Sequence, residues 1–291
     1  MPMLLIKGSF HISAKSQPDG DTIGFIPDYV GEWKLVHGGR PLHPGADGHI
    51  NVRLEAIDTL ETHYPGANEH NEHQPLTYAH AAADELLGWL GFQNIERHED
   101  ETVSVTPDSV PGYILTRGGD SKGRCVSLVG RGTPPGASGY EIDVDEKLLK
   151  KTANYHLLEK GLAYPTYYKG FPGDLRRILT DAVHAAQAAM PPANGLWPYD
   201  VTVSGAKIAG MHSITNDVVI LPKLFRRLKD YFDLGNDALD CLPSFLAGAD
   251  DVFKIQGDRK EYRGLHHILE ITNGQTLRLT HPAEDLTFDE K

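Results

Sequence analysis

The chain has 291 residues, 40% of them hydrophobic and 23% charged, with a formal net charge of −12. That is enough length for two domains of ordinary size, with the balance of a soluble globular chain. It excludes a protein that coats nucleic acid by charge alone, and no apolar run reaches the length of a membrane span. The opening residues turn polar too soon for a secretory signal, so a cytoplasmic setting is expected, or secretion if a leader has been removed. Cys125 and Cys241 lie far apart and form no metal-type pair or disulfide framework; both are expected as buried free thiols.

Residues 3–15 alternate loosely around Leu5, Phe10 and Ile12 and predict a strand. Gln17-Pro18-Asp19-Gly20-Asp21-Thr22 is a turn cluster carrying an Asp-Gly hairpin signal, with Ile23 to Ile26 as the return strand. The stretch 31–48, rich in Gly, Pro and His, is expected as an exposed loop. Residues 49–57 predict a third strand, apolar at Ile50, Val52, Leu54 and Ala56, which runs into Asp58-Thr59-Leu60-Glu61. Carboxylates at a strand end suit a hard cation, and the planar fork of Arg53 suits a phosphate. Strict alternation puts Arg53 and Asp58 on opposite faces, so they converge only if the strand curls or bulges. A meander of this kind is a natural start for a small barrel.

Residues 62–74 are polar, and His63, His70 and His73 are read as part of a solvated loop rather than as metal ligands. Pro75 opens a helix whose core stripe is Leu76, Ala79, Ala83, Leu86, Leu87 and Leu90, with Gly91 as its stop. A strand pair follows around Ile95, Val103 and Val105, then a loop over 107–119. Asp120 to Arg124 turns into a strand from Cys125 to Val129, the Gly before Arg124 aiming that side chain from the strand's start. Asp143-x-x-Glu146 has the look of a helix start; Leu148, Leu149, Thr152, Tyr155 and Leu158 supply a buried stripe up to Gly161. Tyr164 to Lys169 is an aromatic loop. A further helix runs from Pro172 through Leu175, Leu179, Val183 and Met190 to Pro191-Pro192.

The segments Asp19-Gly20-Asp21-Thr22, Arg53-Leu54 with Ile57-Asp58-Thr59-Leu60-Glu61, Asp120 with Gly123-Arg124, Leu158 to Ala163, and Leu196-Trp197 occur in that order. In them the chain resembles the staphylococcal-nuclease-like (thermonuclease) family over about residues 1–199. The resemblance implies an α+β fold, a five-stranded OB-type β-barrel with packed helices. It also implies a calcium-dependent phosphodiesterase, a nuclease acting on DNA and/or RNA. On this basis Asp21 and Asp58 ligate Ca2+ together with the carbonyl of Thr59, and Glu61 orients or deprotonates the attacking water. Arg53 and Arg124 hold the scissile phosphate. Tyr167 falls where the family has a substrate-binding tyrosine, and Lys122 and Lys169 are the neighbouring cations expected to meet substrate. The sequence departs from the family at Leu60, where a proline is usual, at Lys122, where an aromatic residue is usual, and in the His- and Glu-rich stretch 62–74.

Residues 200–291 lie outside the resemblance and are expected as a small accessory α+β domain, open to docking, self-association or substrate capture. Val201 to Ala209 predict a strand. Leu221 to Phe232 predict an amphipathic helix with Leu224, Phe225, Leu228, Tyr231 and Phe232 inward and its basic residues in solvent. Leu265 to Ile271 and Thr276 to Leu279 predict a hairpin around Asn273-Gly274, with His266 and His267 on opposite strand faces. Two other functions stand beside the nuclease. One is a non-catalytic binding module on the same barrel; the other is a nuclease held latent by the C-terminal third.

Overall fold

The computed structural model describes residues 1–66, 70–189 and 195–289. Pro191-Pro192 and Met190 lie outside the described residues, as does Glu69. The strands are β1 (Pro2–His11), β2 (Thr22–Pro27), β3 (Ile50–Leu54), β4 (Ile57–Asp58), β5 (Gln93–Arg97), β6 (Val103–Thr106), β7 (Ser109–Gly119), β8 (Cys125–Arg131) and β9 (Glu141–Asp143). Strands β1, β2, β3, β8 and β7 pair in that order, and β7 returns to β1, closing a five-stranded barrel. All the pairings are antiparallel except β3 with β8. Helices α1 (Leu76–Leu90), α2 (Glu146–Leu149), α3 (Ala153–Glu159) and α4 (Gly173–Ala188) pack around it. Their buried stripes, such as Ala79, Ala83, Leu86 and Leu90 on α1, follow the predicted helical spacing. α1 stops at Gly91, which adopts a left-handed φ of 112°.

Several expectations need correction. Residues 109–119 form a central barrel strand, not a loop. Pro111 and three glycines disguise it, yet Val110, Tyr113, Ile114 and Leu115 are buried between β1 and β8. Gly112 is there for space: a Cβ would lie 2.4 Å from the ring of Phe10 on β1. Strands β1 and β2 pair as expected, but the connection spans 12–21, so Asp19-Gly20 is not a two-residue hairpin turn. Within 31–48, residues Val30–Leu35 form a 3-10 helix that buries Trp33, whose indole N–H donates to the Gly48 carbonyl at 2.8 Å. The helix expected from 143 to 161 is two helices. Asp145 caps α2, and Thr152 accepts from the Tyr155 N–H to start α3 afresh. Cys125 is buried but Cys241 is exposed.

The second half adds β10 (Tyr164–Pro165), β11 (Tyr167–Tyr168), β12 (Ala206–Lys207), α5 (Pro222–Phe232), α6 (Leu242–Ala249), β13 (Val252–Ile255), β14 (Glu261–Arg263), β15 (Leu269–Thr272), β16 (Thr276–Leu279) and β17 (Leu286–Phe288). The strand expected at 201–209 shrinks to β12, because residues 202–204 turn. The β15–β16 hairpin forms, with Asn273 and Gly274 both at positive φ. Residues Leu265–Ile268 are a 3-10 turn rather than strand, so His266 and His267 stack with ring centroids 4.0 Å apart. A second hydrophobic cluster centres on Leu224, Phe225, Leu228, Leu246, Phe253 and Phe288, and it includes Leu60, Ala79, Tyr164 and Leu196 from before residue 200. β11 pairs in parallel with β17, Tyr168 opposite Phe288. Among the described residues no helix is long and apolar enough to cross a membrane.

Candidate active site

The break between β3 and β4 positions the site. Ala56 takes a left-handed φ of 68°, so the chain turns at Glu55-Ala56 and resumes with Ile57-Asp58 paired to Pro165 and Tyr164. A left-handed alanine costs about 1–2 kcal/mol, and the surroundings hold it there. The Glu55 N–H donates to the Ser127 carbonyl at 2.9 Å, and the Thr166 N–H to the Ala56 carbonyl at 3.0 Å. Asn154 of α3, fully buried, donates to the Glu55 carbonyl at 2.8 Å and accepts from the Val129 N–H at 2.9 Å. Its amide thus stands between two backbone groups that would have bonded each other had β3 run on. This is the curl that strict alternation demanded, and it brings Arg53 and Asp58 to one side.

On the facing loop, Gly20 packs where a Cβ would lie 2.7 Å from both Ala82 and Thr59, which lets Asp21 approach the end of β4. The Asp21 carboxylate accepts from the Thr22 hydroxyl at 3.0 Å and the Thr59 N–H at 3.3 Å. The turn between β7 and β8 is closed by Asp120, which accepts from the Lys122 and Arg124 N–H groups at 2.9 Å each. Asp120 also takes the Arg124 Nε–H at 2.7 Å, and Gly123 supplies the positive φ the turn needs.

Asp21, Arg53, Asp58, Glu61, Lys122 and Arg124 line one cavity of about 310 Å³, with Asp19 beside them. Two of the residues expected to meet substrate lie elsewhere. Tyr167 is buried in the barrel-side core with its hydroxyl 2.8 Å from that of Thr180, and the Arg176 guanidinium covers its ring. Strand alternation turns the next residue, Tyr168, to the cavity instead, 3.5 Å from Arg53 and under its guanidinium. Lys169 is exposed, pairs with Asp289 at 3.3 Å, and lines a smaller neighbouring cavity.

The side chain that sequence reasoning missed is Arg226 on α5. Its guanidinium donates to both oxygens of Asp58, at 3.2 and 2.7 Å, and to Glu61. The expectation that the basic face of α5 is solvated fails. Arg226 enters the cavity, Arg227 grips Asp251 with two bonds, and Lys229 is fully buried against Asp233. No residue of α5 is exposed, so the helix has no solvated side for its charges.

The titration shifts follow this arrangement. Burial raises Asp21, and the neighbouring Asp58 adds to that. Burial pushes Asp19 well up, with Asp21 and Glu61 adding. Burial also lifts Glu61 to about 7, against the pull of Arg226. For Asp58 burial acts upward, but Arg226 and Arg53 outweigh it and hold the carboxyl below its ordinary value. Burial pushes the Tyr168 phenol up, but Lys223 and Arg53 bring it down to about 8.

The expected donors that line the cavity are all carboxylate oxygens, those of Asp21, Asp58 and Glu61; Thr59 does not line it, though its N–H donates to Asp21 and its buried Oγ1 has no hydrogen-bond partner. That chemistry fits a hard divalent cation such as Ca2+, while Arg226 already neutralises part of it. Among the described residues no group of three or more His, Cys, Asp or Glu is arranged to hold a metal, neither around His63, His70 and His73 nor at Asp21, Asp58 and Glu61 as they stand with Arg226 between them, so it is the donor chemistry alone that suits an ion there. A scan against protein-family models and a search of the curated proteins gave no match to this chain, so the functional argument rests on the geometry of this cavity.

Proposed function

We propose that the protein is a phosphodiesterase that hydrolyses nucleic acid, DNA or RNA, in this cavity. The observation that carries the proposal is the meeting of two guanidiniums, Arg53 and Arg124, with the half-buried carboxylate Glu61 around one space. A phosphodiester is anionic and repels an anionic nucleophile. Catalysis therefore needs fixed positive charge where the phosphoryl oxygens gain charge, which Arg53 and Arg124 offer from neighbouring parts of one wall, β3 and the turn into β8. Glu61, lifted to about 7, is poised to take a proton from water near neutral pH. Asp120 fixes the Arg124 fork by its Nε–H, and Tyr168 braces Arg53. Asp21, Asp58 and the Thr59 carbonyl would hold Ca2+, which when bound offsets phosphate charge and acidifies a ligated water. Lys122, on the same wall, would steer the polyanion.

The test is digestion of plasmid DNA and of RNA in calcium, in magnesium and in chelator, for the wild type and Glu61→Gln. Cleavage that needs both a divalent cation and Glu61 supports the proposal. No cation-stimulated cleavage of either nucleic acid would leave a binding module, detectable as oligonucleotide affinity without turnover. One observation favours a restrained form of the enzyme: Arg226 from the C-terminal third already holds Asp58 and Glu61.

A further inference from the structure

The Arg226 contact has features of a built site. The Asp58 side chain is 2% exposed, and both its oxygens accept from Arg226. The helix that carries the arginine is anchored. Leu224, Phe225 and Leu228 are fully buried, and Arg227 and Lys229 are each tied to a carboxylate. A second tie joins α5 to the loop bearing Glu61. Gln74, fully buried, accepts from the Glu61 N–H at 3.3 Å and donates to the Ile220 carbonyl at 2.8 Å, two residues before α5. The backbone of Gln74 also bonds the Glu61 carbonyl at 2.9 Å. The register between Glu61 and Arg226 is therefore fixed by the buried Gln74 amide bridging two backbone segments, independently of their charges.

A calcium ion bonds carboxylate oxygens at about 2.3–2.6 Å. An ion on either Asp58 oxygen would face a guanidinium held by that same oxygen, two like charges within about 5 Å in a partly dehydrated cavity. They exclude each other. We propose that Arg226 is the resident cation of this site, and that a divalent ion must displace it from Asp58 and Glu61 before the carboxylates can serve catalysis. The C-terminal third then sets the cation concentration at which the cavity becomes competent. Its consequence for turnover rests on the phosphodiesterase proposal; the competition itself does not.

The experiment is calcium titration by calorimetry, with thermal unfolding in chelator and in calcium, on the full chain as wild type, Arg226→Met and Arg226→Lys. Removing the competitor should tighten calcium binding roughly tenfold to hundredfold, the range of ordinary site-to-site coupling. Arg226→Met should also melt lower than wild type in chelator and recover in calcium, because Asp58 and Glu61 regain a counter-charge only there. Arg226→Lys, which keeps the charge but loses the two-pronged grip, should fall between and guards against a Met variant that does not fold. Calcium affinity that is equal or weaker in folded Arg226→Met or Arg226→Lys, or absent throughout, overturns the proposal. Tighter binding without cleavage upholds the competition and removes the phosphodiesterase; cation-stimulated cleavage with affinity indifferent to residue 226 does the reverse.

Discussion

Asn154→Ala tests whether the kink between β3 and β4 is held from outside the barrel. In the wild type the Asn154 amide is the partner given to the Glu55 carbonyl and the Val129 N–H, at 2.8 and 2.9 Å, with a third bond to the Ser127 carbonyl at 3.1 Å. Ser127 keeps the Glu55 N–H after the substitution, so its loss is small. The Val129 N–H and the Glu55 carbonyl each lose this buried bond, at about 1–3 kcal/mol each. The expected loss is therefore roughly 4 kcal/mol, a large share of the 5–15 kcal/mol typical of a domain. Urea unfolding followed by circular dichroism measures it, as a lower midpoint at unchanged slope. If the proposed phosphodiesterase function holds, the variant should also lose nucleic-acid cleavage beyond its loss of folded protein, because Arg53 and Asp58 meet only through this turn. A destabilisation under about 1 kcal/mol would mean that the turn at Ala56 is self-sustaining and the reasoning fails.

Glu61→Gln should lower turnover by about 10²–10⁴-fold with an intact circular dichroism spectrum; wild-type turnover would remove the base. Arg124→Ala should cost about 10²–10³ in kcat, read from initial rates on a short oligonucleotide, and should also lower the melting temperature, because buried Asp120 loses its counter-charge while keeping the Lys122 and residue-124 N–H groups. Tyr168 should titrate near 8 rather than 10.0, and the folded chain, releasing that proton first, should gain stability as pH rises between those values. Lys223→Met should move the tyrosinate absorbance midpoint upward, and an unmoved midpoint would show that Lys223 does not act on the phenol. Asp233→Ala, which strips a carboxylate from fully buried Lys229, should destabilise by about 3 kcal/mol in urea, the low end for a broken buried pair, since the Pro65 carbonyl still accepts from the ammonium.

Much of the barrel was legible because burial on one face leaves period-two patterns, as in β2 and β3, and helical stripes leave period 3.6, as in α1 and α4. Strand β7 was not legible. Its glycines read locally as turn residues, while their physical cause is close approach by neighbours: the Phe10 ring sits where a Gly112 side chain would be, and residues 38–42 crowd Gly118 and Gly119. The split between α2 and α3 was hidden for a different reason. The apolar stripe continues across it, and only the Thr152 side chain, accepting from the Tyr155 N–H, marks a new start. The kink at Ala56 was required by the chemistry assigned to Arg53 and Asp58, not by any local signal. Alanine has no preference for a left-handed turn, and the residue that holds it lies in α3.

The position of Arg226 was illegible for a reason that a charge balance exposes. On its own element it is one of four basic residues on a helix with a clean apolar face, the pattern of a solvated surface. Its partners lie 165 and 168 residues away, so no local spacing points to them. The cavity, however, holds Asp19, Asp21, Asp58, Glu61 and Asp120 against the Arg53, Lys122 and Arg124 expected from sequence. Five carboxylates, of which Asp21, Asp58 and Asp120 are buried, facing three cations leave a deficit of positive charge, and desolvated carboxylates do not stay ionised uncompensated. The shortfall must be met by a metal, by protonation or by another side chain. The structure shows the third of these at Asp58 and the pressure towards the second at Asp19 and Glu61, whose pKa values burial drives upward. A sequence that supplies acids to a site faster than bases thus signals a missing cation, and a basic helix elsewhere in the chain is a candidate source before any ion is invoked.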